Sequence, residues 1–269
     1  MSIFIVKADG TSEEYKSEKL VSSLKRAGAS NDVAVAISHD IEKELWSGIS
    51  TQEIYSRAFS RLREHRHAVA ARYSLKRAVL GFGPSGFPFE TYIAELYRKE
   101  GYEAKVDQIV QGKCVDHEVD VVIHKGDKTI FAEAKFHNAA GFKTDLKVVL
   151  YVKARIDDIG RGSGLVVTNT KFTSKAVQYS ECAGLELLSW DYPQDKTLHD
   201  RIDAAKLYPV TALTTLTNRE KMALLSGRTV LCNALPGNDR ALAQAGITGA
   251  RADIVLEEVG ALCVPGADI

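Results

Sequence analysis

No stretch of this 269-residue chain approaches the roughly 18 consecutive apolar residues of a membrane-crossing helix, so a helical span is excluded. The opening run Met1-Ser2-Ile3-Phe4-Ile5-Val6-Lys7 lacks the basic start and long apolar centre of a signal peptide. Cysteine is sparse. Cys114, Cys182, Cys232 and Cys263 are widely scattered and form no CxxC pair, which argues against structural zinc and against a disulfide framework. These absences lead us to expect a protein of a reducing, cytoplasmic compartment with no membrane partner. Net charge is lacking too: 35 Lys and Arg balance 35 Asp and Glu. A grip on a polyanion would have to come from a local patch, because a neutral molecule has no long-range steering field. Internal repeats and low-complexity tracts are also missing. What remains, 45% apolar and 26% charged residues, is the composition of an ordinary globular chain of one large or two to three small domains.

Three textures divide the chain. From Ile3 to about Leu80, helical periodicity dominates after two strand-like runs, Ile3–Lys7 and Thr11–Tyr15, joined through the hairpin signal Asp9-Gly10. The spacing predicts helices over Ser17–Gly28, Asn31–Trp46, Thr51–His65 and His67–Leu80, with Ser30 or Asn31 and Ser50 or Thr51 as N-caps. Residues 81–88, Gly-Phe-Gly-Pro-Ser-Gly-Phe-Pro, read as a linker, since three glycines and two prolines cannot sustain a helix. The second texture, 89–197, alternates. Phe89, Tyr92, Ile93, Leu96 and Tyr97 form an apolar helical stripe. Strands are expected over Glu103–Val110, Glu118–His124, Thr129–His137, Gly164–Asn169 and Leu185–Trp190, and helices near Thr144–Ile159 and Thr173–Ala183, the last strand–helix–strand run suggesting a right-handed parallel crossover. The third, 198–269, reads as helical with breaks at Pro209, Pro236-Gly237 and Gly246. The fold class is therefore multidomain α/β: a small helical unit with a β-hairpin lid (1–80), a linker (81–88), an α/β domain with a mixed sheet (89–197) and a short helical C-terminal region (198–269).

Asp120, Glu133 and Lys135 carry the chemistry. Alternate strand residues share a face, so Phe131, Glu133, Lys135 and His137 project one way while Ile130, Ala132, Ala134 and Phe136 project the other. The neighbouring strand places a single acid, Asp120, within the β-branched run Val119-Asp120-Val121-Val122. Two carboxylates converging from adjacent strands suit Mg²⁺, and a lysine beside them can orient water and stabilise charge building on a phosphorane-like transition state. Charges on an edge strand facing water are the ordinary alternative for any one of these residues.

Phe89-Glu90 opening a helix, Glu100-Gly101-Tyr102 closing it, His117–Val122, Phe131-Ala132-Glu133-Ala134-Lys135 and the later runs Gly164–Asn169, Phe172–Ala176 and Gly184–Leu188 together resemble the Mrr-like branch of the restriction-endonuclease-like superfamily, the PD-(D/E)xK nucleases, over about residues 87–195. The resemblance implies that Asp120 and Glu133 bind Mg²⁺ or Mn²⁺, that Glu90 completes the site as a third acidic ligand, and that Lys135 serves the water. The family also includes inactive, binding-only members, but this sequence keeps every core position. His137 shares the face and is read as a satisfied histidine or a phosphate contact. Between Lys128 and Arg155 six Lys or Arg stand against two acids, a run that either tracks a phosphate backbone or is a solvated helix face.

Val6-Lys7-Ala8-Asp9-Gly10, Glu13, Lys19-Leu20, Gly48–Thr51, Glu53-Ile54-Tyr55 and Ala70–Tyr73 resemble the ATP-cone, a regulatory nucleotide-binding domain, over about residues 3–80. That resemblance implies ATP or dATP as a regulatory ligand lined by Val6, Lys7, Glu13, Lys19, Thr51 and Tyr55. Ala8 stands where the family carries arginine, removing a bidentate phosphate contact. No Walker loop is present, so nucleotide is expected to be sensed rather than hydrolysed. Ala245–Ala250 faintly resembles a helix-hairpin-helix turn, with ordinary helical packing the plainer reading. The leading expectation is a Mg²⁺-dependent endonuclease on double-stranded DNA, adenine-nucleotide-regulated, homo-oligomeric and used in restriction or defence. A nucleotide-responsive DNA-binding protein without hydrolysis, or a regulator of oligomerisation, are the open alternatives.

Overall fold

The computed structural model describes residues 2–7 and 10–263. Only Ile5 is buried in the first strand, so the N-terminal strands are short. Strand β1 (Phe4–Val6) pairs antiparallel with β2 (Ser12–Glu14) and parallel with β3 (Ile49–Ser50). Ala8 and Asp9, on which the missing arginine and half of the turn signal rest, lie outside the described residues. Gly10 is described, with φ +81, a backbone region where glycine is at ease.

Helices α1 (Ser17–Arg26), α2 (Asn31–Glu42), α3 (Thr51–His65), α4 (His67–Tyr73) and α5 (Leu75–Leu80) follow. Ser30 and Ser50 cap α2 and α3, accepting from Val33 N at 3.3 Å and Glu53 N at 3.1 Å. Helix α2 ends short of Trp46, because Leu45 and Trp46 enter the turn that Gly48 makes at φ +96. The single helix expected over His67–Leu80 is divided at Ser74. Its hydroxyl donates back to Ala71 O at 3.0 Å, competing with the helical ladder.

The Gly/Pro-rich segment after α5 is packed, not a free tether. Phe82 is 1% exposed, meets Tyr92 edge-on at 5.3 Å and stacks near Phe136 at 6.3 Å. Helix α6 (Phe87–Lys99) starts two residues earlier than the apolar stripe suggested, with Pro88 in the first turn, where its missing N–H costs nothing. Its stripe, Phe89, Tyr92, Ile93, Leu96 and Tyr97, is buried.

Beneath α6 lies a mixed five-stranded sheet. Strands β4 (Glu103–Gln111), β5 (Asp116–Lys125) and β6 (Lys128–Lys135) form an antiparallel meander. Strand β7 (Lys143–Thr144) and helix α7 (Leu146–Ile159) lead to β8 (Ser163–Thr168), which runs parallel to β6. Strand β9 (Lys171–Phe172) pairs with β7 in a separate two-stranded ribbon, and α8 (Ser174–Ala183) returns the chain to β10 (Glu186–Leu188), parallel to β8. The sheet order is β10-β8-β6-β5-β4. The last strand is shorter than its sequence pattern, because Ser189 bridges Tyr192 and accepts from Leu198 N at 2.9 Å. One face of the sheet packs on α6 and the C-terminal helices; the other packs on α7 and α8.

The C-terminal region is broken helix, as its prolines and glycines require: α9 (Leu198–Ala205), α10 (Asn218–Ser226), α11 (Asp239–Gln244) and α12 (Ala250–Cys263). Thr197 and Thr217 open α9 and α10 with reciprocal capping boxes. Within Ala245–Ala250, Ile247 is 1% exposed and plugs the core, the packing role. Buried Glu258 accepts from the backbone N–H and hydroxyl of both Thr214 and Thr215 at 2.6–2.9 Å. Among the described residues no helix is long and apolar enough to cross a membrane.

The three textures do not form three separate cores. Val69 and Ala70 of α4 pack into the N-terminal bundle with Leu24 and Ile54, while Ala68 and Ala71 of the same helix pack with α6, the sheet and α12. Thr211 Oγ1 donates to Ala78 O at 2.7 Å across that seam. Phe82→Ala should therefore destabilise the whole molecule by about 3–5 kcal/mol, the scale for deleting a buried phenylalanine. Urea denaturation followed by Trp fluorescence and by circular dichroism checks this; a free tether would leave both midpoints unmoved.

Candidate active site

Strand β6 separates apolar from chemical residues by its pleat. Ile130, Ala132 and Ala134 enter the α6-side core, and Phe131 and Glu133 project the other way, Glu133 meeting Arg155 of α7. The β5–β6 ladder runs from Lys125↔Lys128 to Val121↔Ala132. Just beyond it, Asp120 Oδ2 accepts the backbone N–H of Ala134 at 2.7 Å, so a side chain replaces the ladder. The β4–β5 ladder is irregular at the same level. It pairs Val106 with Val121 and Gln108 with Val119, and Asp107 between them has left-handed backbone at φ +55. The alternation changes phase there: Val121 belongs to the α6-side core, but Val119 and Val110 belong to the opposite one. The acids thus collect where three strands depart from regular pairing.

Glu133 is 4% exposed and holds two cations. Lys135 Nζ lies 2.7 Å from Oε1, and Arg155 Nη1, itself buried, donates to Oε2 at 2.7 Å. A buried carboxylate needs such compensation. Arg155 also donates to Tyr151 OH at 2.9 Å and lies over that ring. Burial alone would lower the Lys135 amine, but the hydrogen bond and charge of Glu133, joined by Asp120, hold its pKa above the usual lysine value. Lys135 is thus a kept cation rather than a base. Burial first, then the charge of Glu133, raises the Asp120 carboxyl, with Ala134 N–H opposing. Glu90, in the first turn of α6, is pushed up to about 7, first by burial and then by the charges of Asp120, Asp107, Glu118 and Glu133.

The sequence-predicted acids therefore share one field, but they do not form a finished cage. Among the described residues no group of three or more His, Cys, Asp or Glu is gathered to hold a metal ion as it stands. Glu133 is turned to Lys135 and Arg155, and one Asp120 oxygen is turned to Ala134. The donor chemistry nevertheless fits a hard divalent cation: carboxylate oxygens whose pKa values are raised first by burial and then by neighbouring acids.

His137 is a satisfied residue. Its N–H donates to Asn169 Oδ1 at 2.8 Å, its carbonyl accepts from Asn169 Nδ2 at 2.7 Å, and its ring stacks on Phe142 at 5.9 Å. In the basic run, Lys128, Lys135, Lys153 and Arg155 are paired with Glu186, Glu133, Asp157 and Glu133. Lys143 and Lys147 remain exposed with no carboxylate partner among the described residues. Sequence reasoning missed Arg155 as a partner of Glu133; an arginine four residues after Tyr151 on the inward face of α7 was the available signal. Nothing marked Asp107.

In the N-terminal unit the hairpin residues converge. Lys7 Nζ and Lys19 Nζ meet the same Glu13 oxygen at 2.8 Å and 2.9 Å, which lowers the Glu13 pKa. Val6 pairs with Ser50, setting it beside Thr51 at the start of α3. Tyr55, one turn on, is engaged elsewhere: it stacks on Tyr73 at 4.9 Å, and the Arg77 guanidinium covers its ring at 3.5 Å.

Three family models match in succession: an ATP cone domain over residues 3–79, a restriction endonuclease domain over 84–192 and an AF1548-like C-terminal domain over 208–263. An uncharacterised protein of Archaeoglobus fulgidus is 37% identical over 124 residues, covering 45% of this chain and 71% of that protein. The crystal structure of AF1548, a protein of unknown function, is 30% identical with a TM-score of 0.57, covering 66% of this chain and 98% of that one. The MspJI restriction endonuclease in complex with a 27-mer oligonucleotide is 15% identical with a TM-score of 0.36, covering 70% of this chain and 39% of that one.

The raised Glu90 pKa has a stability consequence. Between its ordinary value of 4.5 and about 7 the folded state holds the proton more tightly than the unfolded chain. The stability linked to that proton is full below the ordinary value and is lost as pH rises through about 7. Denaturant melts of the metal-free protein at pH 5, 6, 7 and 8 should show this loss, and Glu90→Gln should flatten it. Identical pH profiles for the two proteins would remove Glu90 from the acidic cluster.

Proposed function

This chain belongs to the AF1548-like family and joins an ATP cone to a restriction-endonuclease domain, and on that premise we propose that it is a divalent-metal-dependent endonuclease regulated by adenine nucleotide. We take residues 1–80 as the cone, 81–88 as the connection, 89–197 as the nuclease and 198–269 as the helical C-terminal region. The supporting observation is the Glu133–Lys135 contact at 2.7 Å with Asp120 on the adjacent strand, inside a field that lifts Glu90 to about 7. In this reading Asp120, Glu133 and Glu90 hold Mg²⁺ or Mn²⁺. A bound cation would polarise the phosphodiester and activate a water. Lys135, kept protonated, orients that water and offsets the charge that builds on phosphorus. Arg155 compensates Glu133 until the site is loaded. Double-stranded DNA is the proposed substrate, in a cytoplasmic restriction or defence role. One such site cuts one strand, so a homo-oligomer presenting two sites is the proposed working form.

A reading without hydrolysis, in which the chain is a nucleotide-responsive DNA-binding regulator, draws on one observation: both Glu133 oxygens are occupied by cations of the chain itself. Plasmid cleavage with Mg²⁺ or Mn²⁺ separates the two. Wild-type protein should cut, and Lys135→Ala should lose about 10²-fold or more in rate while retaining DNA binding, the scale for removing one charge-stabilising donor. Linear product implies paired sites, and nicked circles alone imply one. Undiminished cutting by Lys135→Ala would remove Lys135 from the chemistry.

At the cone, Val6, Lys7, Glu13, Lys19 and Thr51 are the proposed ATP or dATP contacts, with phosphates displacing Glu13 from the two lysines; Tyr55, packed between Tyr73 and Arg77, is left out. A charge-assisted contact is worth about 1.5–3 kcal/mol, so Lys19→Ala should weaken ATP binding by roughly tenfold or more in calorimetry. No heat with ATP or dATP from the wild-type chain would make the cone a packing module.

A further inference from the structure

A cavity of about 300 Å³ lies on the seam between the N-terminal bundle and the rest of the molecule. Its bundle side carries Arg26 on α1, Lys76 and Arg77 on α5, and the stacked rings of Tyr55 and Tyr73; its other side carries Trp190, His199 and Asp203. Its charge is one-sided. Arg26 and Lys76 form no hydrogen bond or ion pair among the described residues, and Arg77 donates to Gln52 O at 3.4 Å and lies over the Tyr55 ring at 3.5 Å. Arg72 adds a further guanidinium to the lining. The lining carboxylate, Asp203, accepts from Tyr208 OH at 2.8 Å and lies 3.9 Å from Lys206. Lys76 is half-buried over the Trp190 ring at 5.8 Å, where burial lowers its pKa. Lys76, partly buried beside the charge of Asp191, and the exposed Arg26 and Arg77 on the same wall suit an anion.

The walls also select for a ring. Trp190 and His199 meet at 5.2 Å, and Tyr55 and Tyr73 are parallel to within 6°. Flat aromatic faces beside a cluster of Arg and Lys are the chemistry that recognises a base and its phosphate. The volume sits at the lower end of the small-ligand range of about 300–1,000 Å³, which limits the ligand to a compact one.

We infer that this seam cavity is a binding site for a small nucleotide, a nucleoside mono- or diphosphate, distinct from the hairpin site at Lys7 and Lys19. Arg26, Lys76 and Arg77 hold the phosphate, and Trp190 faces the ring. Because the bundle and the α/β body each supply part of the wall, the ligand binds only where the two are docked. The inference depends on neither hydrolysis of DNA nor nucleotide at the hairpin.

The chain has two tryptophans, so Trp46→Phe leaves Trp190 as a reporter inside the cavity. Titrating that full-length variant with AMP, ADP and pyrophosphate should give a saturable change in Trp190 emission with either nucleotide, and pyrophosphate should compete. Lys76→Gln should weaken the apparent Kd at least tenfold. Arg26→Ser should weaken it as well, and because Arg26 is exposed this substitution is expected to leave folding intact. Lys19→Ala should leave the Trp190 signal unchanged. Absence of a saturable signal to millimolar nucleotide would overturn the proposal. So would a signal abolished by Lys19→Ala yet indifferent to Arg26→Ser and Lys76→Gln.

Discussion

One apolar core constrains everything else in this molecule. It begins at Ala68 and Ala71 of α4, passes through Phe82 and the stripe of α6, fills the near face of the five-stranded sheet and ends in Val255 and Val259 of α12. Burial of this kind is the dominant favourable contribution to folding. Here it fixes the orientation of β6, since Ala132 and Ala134 must point into it. The pleat then leaves Glu133 no choice but the opposite face. The catalytic candidate is therefore a consequence of where the alanines go.

Glu133 shows what that constraint costs. An acid forced under α7 loses water and must find compensation within the protein, and Lys135 and Arg155 supply it. The neighbouring acids are less well matched. Burial first, and then neighbouring carboxylates, raise both Glu90 and Asp120; for Asp120 the Ala134 N–H, Lys135 and Arg155 oppose this. A site that tolerates repulsion in its resting form is suited to accept positive charge later. The local irregularity of β4 and β5 around Asp107 serves the same end by opening the ladder where the acids stand.

Much of this was legible in the sequence because period-two alternation and a lone acid in a β-branched run are local signals. Asp120, Glu133 and Lys135 could be set on paired strands from their spacing, and the stripe of α6 followed from period 3.6. What could not be read was non-local. The pairing of β7 with β9 joins two-residue segments too short to show any alternation. Arg155 looked like one charge in a basic run, and only the crossing of α7 over the sheet makes it the partner of Glu133. Residues 81–88 carried the composition of a linker, and nothing nearby announced that Phe82 would be needed by Tyr92 and Phe136. The division of α4 and α5 turned on one serine hydroxyl, a preference weaker than the surrounding helical pattern.

Helix α4 has two allegiances. Its residues are divided between cores, with Ala68 and Ala71 given to the body and Val69 and Ala70 to the bundle. A hinge at this point would have to pull one set of alanine-scale contacts apart, and such small side chains offer no slack. Large swinging of the bundle is therefore the unfavourable route for any message passing along the chain. The permitted route is sliding, with helices shifting by an ångström or so while their side chains stay interlocked. Mechanically, α4 is a party wall: load applied in one room is felt in the next without either room turning.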